Sequence, residues 1–289
     1  MFTALYLSPL SITLAFTLVL AAFAYPHLLL KLMAPRMSKL WISRILNDVI
    51  SVSVGMGLTN WYVRMVPYSG KLVYRSGLVL GQPMGDAIIA SGVLLAYVVT
   101  TASSLFNAAE LWRPPSGHAN TVERFVIGNK GHSYNVRPLS SVIYTKLVLL
   151  SSIHFLVEGF SIGSSQYGSL KLYFSTLVHQ LIMACVMGVL ALRTGCGAMK
   201  VAKIALLFAS ALPLGIMGGL ATGEEILHWI TYMALGTVMS LVSGYYLHVM
   251  FDSVVLPELA MLNTGATSLR LFLAGPVIFV ACVYIFYDM

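Results

Sequence analysis

The sequence predicts an all-α polytopic membrane protein: eight transmembrane helices in one bundle, both termini extracellular or lumenal. Three observations carry that expectation. First, of 289 residues 58% are hydrophobic and only 9% charged, against roughly a quarter charged in a soluble domain. Seventeen basic and ten acidic side chains cannot cover a water-facing surface at this length. A mean hydropathy of +0.85 makes lipid the solvent for most of the chain, which excludes a soluble globular enzyme and a disordered chain together. Second, apolar runs of the about 20 residues needed to cross a bilayer core recur along the whole length. Third, with the N-terminus outside, thirteen of the seventeen Lys and Arg fall in cytoplasmic loops, the bias that orients membrane proteins. The net charge of +7 is thereby explained without a nucleic-acid partner.

The spans lie at about 7–33, 45–66, 83–106, 142–163, 170–193, 198–221, 226–251 and 268–287, within a single transmembrane domain, 1–289. The first follows MFTALYLSPL, which lacks the basic start of a cleaved signal peptide. It is expected to remain as a helix, shortened or bent near Pro26. The second is the most polar, with Asn47, Asp48, Asn60 and Arg64. The third leads into a cytoplasmic loop at about 107–141, rich in Gly, Pro and Asn, which divides the spans three and five. Its His118 and His132 could catch a metal, though two solvated histidines are the plainer reading. The remaining five spans are helices because lipid requires backbone groups to pair within the segment or in a closed barrel, and the alternation of barrel strands is absent. Cys185, Cys196 and Cys282 form no CxxC and no disulfide framework.

Ionisable residues deep in a membrane are costly and mark function by default. Most of the ten acids lie at span ends or in loops. Glu158 lies inside the fourth span, four residues after His154, so the two share one helix face. The fifth span contains His179. At about 1.5 Å per residue both histidines lie roughly 13–14 Å below the outer end, near the midplane. Two imidazoles and a carboxylate suit a divalent transition metal such as Zn or Fe(II). The competing reading is that the three side chains hydrogen-bond to one another and lock two helices together. Two weaker pairings, His248 with Asp252 and His228 with Glu224 and Glu225, read more plainly as a surface pair and a solvated turn.

The fourth span, SSIHFLVEGFSIGSS, resembles the HSxFEGLALG signature of the ZIP (Zrt/Irt-like) metal transporters, with His154, Glu158, Gly159 and Gly163 on its positions. The fifth, with His179 and Gly188, resembles the paired motif. PLGIMGG from Pro213, Gly236–Thr237, and the Gly-to-Pro run GMGLTNWYVRMVP resemble the family's sixth, seventh and second helices. The resemblance implies a transport site with His154, Glu158 and His179 as metal ligands. It adds Met183, four residues after His179, and Met56 on the second helix as further candidates, with ordinary packing as the alternative for both. Thioether sulfur suits soft ions such as Zn, Cu(I) or Cd.

Departures from the family pattern narrow the expectation. Phe155 follows the first His where Ser or Asn is usual, and Gln180 follows the second where Lys or Glu is common; one metal is expected rather than two. Val63 and Arg64 stand where an acid or His is common; Arg64 would repel an incoming dication there, and the plainer reading is that it snorkels to lipid headgroups. The resemblance further implies a homodimer, an inverted repeat of helices one to three and six to eight that the sequence does not display, and an elevator-like motion of helices one, four, five and six. The sequence thus points to zinc transport toward the cytoplasm, with iron, manganese or cadmium as other cargo, in the plasma membrane or an organelle membrane. No enzymatic activity and no resident cofactor are expected. Protons should compete with the metal, since ligands bind deprotonated. The alternatives are a membrane metal sensor and an intramembrane zinc-dependent hydrolase; neither an HExxH helix nor an ATP-binding GxxxxGK[ST] occurs.

Overall fold

The computed structural model describes residues 9–33, 39–75, 81–111, 139–164, 170–194, 196–222, 229–256 and 272–281. Among them the chain is helical throughout and contains no strand. Helix α1 spans Pro9–Met33, α2 Lys39–Asn60, α3 Val66–Arg75, α4 Gly81–Leu111, α5 Ser141–Ser164, α6 Leu170–Ala191, α7 Ala198–Thr222, α8 Trp229–Met250 and α9 Phe272–Ala281. Five of the described helices contain stretches long and apolar enough to cross a membrane: Ser11–Leu32, Ser141–Ser164, Leu172–Ala191, Ala198–Thr222 and Tyr232–Val255. The apolar stretches of α4 (Met84–Val99) and α9 are shorter. The loop histidines His118 and His132, the Glu224–Glu225–His228 turn, Cys282 and the ends of the chain lie outside the described residues.

Large apolar side chains such as Leu14, Leu28, Leu94, Leu214, Met217 and Val277 are exposed along the outer faces of these helices. In water that surface would cost free energy in proportion to its area; against lipid it costs nothing. The interior contains the polar exceptions, and α5 and α6 are the most enclosed of the five long helices.

The first helix continues past Pro26 to Met33 and is not shortened there. The second differs more. It starts at Lys39, passes through a π turn at Trp61–Met65 and continues as α3 to Arg75, so Lys71 and Arg75 stand on helix rather than in a loop. The π turn has a local cause. Val66 N–H reaches back five residues to Trp61 O, and Pro67 follows. A proline ring collides with the carbonyl four residues before it, and a widened turn relieves the collision. A second π turn, Phe251–Val255, closes α8 in the same way, with Leu256 N–H on Phe251 O and Pro257 next in sequence.

The helices associate in two groups. In one, α5 packs on α7, and α1 packs on α6 and α7. In the other, α8 packs on α4 and α3, α3 on α4, and α2 on α9. The groups meet where α8 touches α5 and where α2 touches α6. The α5–α7 contact is made by small residues. A Cβ at Gly159 or Gly163 would land on the backbone oxygens of Leu212 and Ile216, and one at Gly215 or Gly219 on those of Leu156 and Phe160. Two small-xxx-small faces thus let the backbones touch, the packing that holds helices together in lipid. It fixes the height and rotation of α5, and with them His154 and Glu158.

Candidate metal centre

His154 and Glu158 project from α5 one turn apart, and His179 projects from α6 beside them. All three are buried, at 1%, 4% and 0% exposure. Glu158 sits between the imidazoles: Oε1 is 3.7 Å from His154 Nε2, and Oε2 is 3.7 Å from His179 Nδ1. One ligand atom from each residue can be chosen so that all lie within 4.8 Å of one another. The imidazole centroids are 5.6 Å apart.

These separations exceed hydrogen-bond distance. A helix lock would close to hydrogen-bond distance, 2.7–3.2 Å. Here His154 Nδ1 and Nε2, Glu158 Oε2 and His179 Nδ1 are buried without a hydrogen-bond partner. Buried polar atoms are ordinarily paired. Ligand bonds of about 2.0–2.2 Å at a tetrahedral ion place neighbouring donor atoms roughly 3.4 Å apart. The two 3.7 Å gaps are close to that spacing, and with one ligand atom from each residue, all within 4.8 Å of one another, the side chains would have to draw together to share a first-row divalent ion.

Three residues from the second group reach the triad or the turn beside it: Asn60 and Arg64, which the sequence flagged, and Tyr68, which it did not. Asn60, the last residue of α2, places Oδ1 against His179 Nε2. Oδ1 accepts the Nε2–H, which leaves the Nδ1 lone pair facing Glu158, the outer-shell arrangement that orients metal-binding imidazoles. Of the polar residues flagged on the second span, Asn60 reaches the site, whereas Asn47 is exposed and Asp48 half-buried. Tyr68 on α3 sets its ring edge-on to His154, centroids 6.2 Å apart. Arg64 does not extend toward headgroups, contrary to expectation: its Nη2 donates to Ser175 O at 3.1 Å and to Ser175 Oγ at 2.5 Å, on the turn of α6 before His179. The cause is the π turn. Residues 60 and 68 would stand roughly 80° apart on a straight α-helix; five wider-wound residues between them bring Asn60, Arg64 and Tyr68 onto one face.

Aromatic rings enclose the imidazoles. Phe155 lies 4.9 Å from the His179 ring and 5.4 Å from Phe208, and Phe279 stands edge-on to His179 at 6.0 Å. Gln180 donates Nε2–H to Phe208 O at 3.1 Å. Phe155 and Gln180 thus pack α5 and α6 onto α7. Met183 is fully buried in the principal apolar core one turn beyond His179, and Met56 packs partly buried against that core one turn before Asn60. His248 sits edge-on to Tyr97 at 6.3 Å, and Asp252 is exposed. No family model and no curated protein matches this chain.

Proposed function

We propose that this chain is a ZIP-like transmembrane transporter that carries a divalent transition metal, zinc first and iron next, toward the cytoplasm. The observation that carries the reading is the enclosed His154–Glu158–His179 set, open by 3.7 Å where a helix lock would be closed. Two nitrogens and a carboxylate form a mixed ligand set that can strip water from a dication. A set confined to two neighbouring helices can be presented to one face and then the other. Met183 and Met56 are the candidates for completing the shell.

The helix grouping supports an elevator-like movement. All three ligands ride on α5 and α6, in one group, while Asn60, Arg64 and Tyr68 reach them from the other. A slide between the groups would carry the ligands as a unit past those three residues. Matched features in the two halves support the inverted repeat. The second and seventh spans each carry a π turn that ends two residues before a proline. Close backbone approaches at Gly55 and Gly275 join α2 to α9, and those at Gly92 and Gly244 join α4 to α8. Eight spans, outward termini and a homodimer complete the proposal.

Uptake of isotopic zinc, iron and cadmium into proteoliposomes tests it. The wild type should take up zinc, and His154→Ala or Glu158→Ala should abolish uptake while inserting normally. Binding without flux would identify a sensor, and turnover of peptide or lipid a hydrolase; either result overturns the transport reading.

A further inference from the structure

Arg64 presents a cation where a cation is to bind. Its guanidinium is held inward, on the turn of α6 adjacent to His179, by two hydrogen bonds to Ser175. It lies one turn from Asn60, which touches His179, and one turn from Tyr68, which touches His154. Its Nε is buried without a hydrogen-bond partner. A headgroup anchor would show none of these features.

The electrostatics give this placement a consequence. A carboxylate in a low-dielectric interior needs a countercharge. Glu158 faces the two imidazoles, and Arg64 holds a fixed cation on the turn of α6 before His179. A dication arriving at that carboxylate is repelled by the guanidinium. Among charges in a protein interior, such repulsion is far stronger than in water. The Arg64–Ser175 bonds also join the two helix groups, so that charge sits on the surface that must part if the ligand helices slide.

We propose that Arg64, fixed one turn from His179, opposes a dication at the metal site, so that the cargo is held weakly enough to leave. This inference rests on the metal-transport reading and adds to it a determinant of affinity.

Zinc titration of the purified full-length protein in detergent, by equilibrium dialysis with isotopic zinc, tests it. Four proteins are compared: wild type, Arg64→Gln, Arg64→Lys and His154→Ala. Loss of the charge in Arg64→Gln should tighten zinc binding by about tenfold or more, while Arg64→Lys, which keeps it, stays within about threefold of wild type. Arg64→Leu provides the same comparison should the glutamine variant fail to fold. In proteoliposomes the charge-free variant should saturate at lower zinc and turn over more slowly. Wild-type affinity in both charge-free variants, or equal tightening in Arg64→Lys, overturns the role given to Arg64. If His154→Ala abolishes binding in that same experiment, the metal site itself stands. If neither wild type nor Arg64→Gln binds zinc, the metal reading falls and this inference with it.

Discussion

Asn60→Leu removes one oxygen from the centre and leaves every ligand in place. In the native arrangement Asn60 Oδ1 accepts from His179 Nε2–H, and Nδ1 keeps its lone pair toward Glu158. Leucine has nearly the same volume and no acceptor. The imidazole, 0% exposed, then either buries an unpaired N–H, at a cost of about 1–3 kcal/mol, or changes tautomer. In the second case the proton moves to Nδ1 and points at Glu158 Oε2, now 3.7 Å away. That contact would close and become the lock the native site lacks. Metal binding must reverse the change, so the cost appears in affinity. About 1.4–2.7 kcal/mol corresponds to tenfold to a hundredfold, the usual loss when an outer-shell partner of a metal-binding His is removed. Zinc titration of the purified variant reads this directly, with Asn60→Asp as a companion expected to bind at least as tightly as wild type. An Asn60→Leu protein that is folded and binds zinc within about twofold of wild type would refute the argument that Asn60 sets the tautomer of His179.

Two further outcomes follow from the packing. Gly215→Val should destabilise the bundle by about 1–3 kcal/mol or more, because its Cβ meets the backbone of Leu156 and Phe160; thermal unfolding in detergent measures this, and an unchanged midpoint would show that α5 and α7 do not touch there. Met183→Ala should shift the ratio of zinc, iron and cadmium fluxes more than the maximal rate, as loss of a soft ligand would; fluxes that scale together would assign the thioether to the core alone.

The helical class and the three principal ligand candidates were legible in the chain because lipid penalises two things so heavily. It leaves no tolerance for unpaired backbone, which makes long apolar runs helical, and it makes deep charge rare, which isolates Glu158 among ten acids. The spacing of four then joined His154 to Glu158, and counting inward from the turn between the fourth and fifth spans matched His179 in depth. Gly159 and Gly163, read only as motif positions, proved to be the contact that seats α5 on α7.

The cross-helix partners were a different matter. Asn60 and His179 are 119 residues apart in sequence, and on the second span Asn60 was no more conspicuous than Asn47 or Asp48. Arg64 read as an anchor and Tyr68 carried no signal. What directs these three inward is a change of helical phase at Trp61–Met65, and phase depends on how a proline is accommodated against neighbouring helices. The sequence by itself determined which residues must be buried and which of those are chemically able to hold a cation. Only the tertiary structure decided which neighbours surround those side chains, because those contacts depend on the rotation and height of one helix group against another, and no local spacing encodes either.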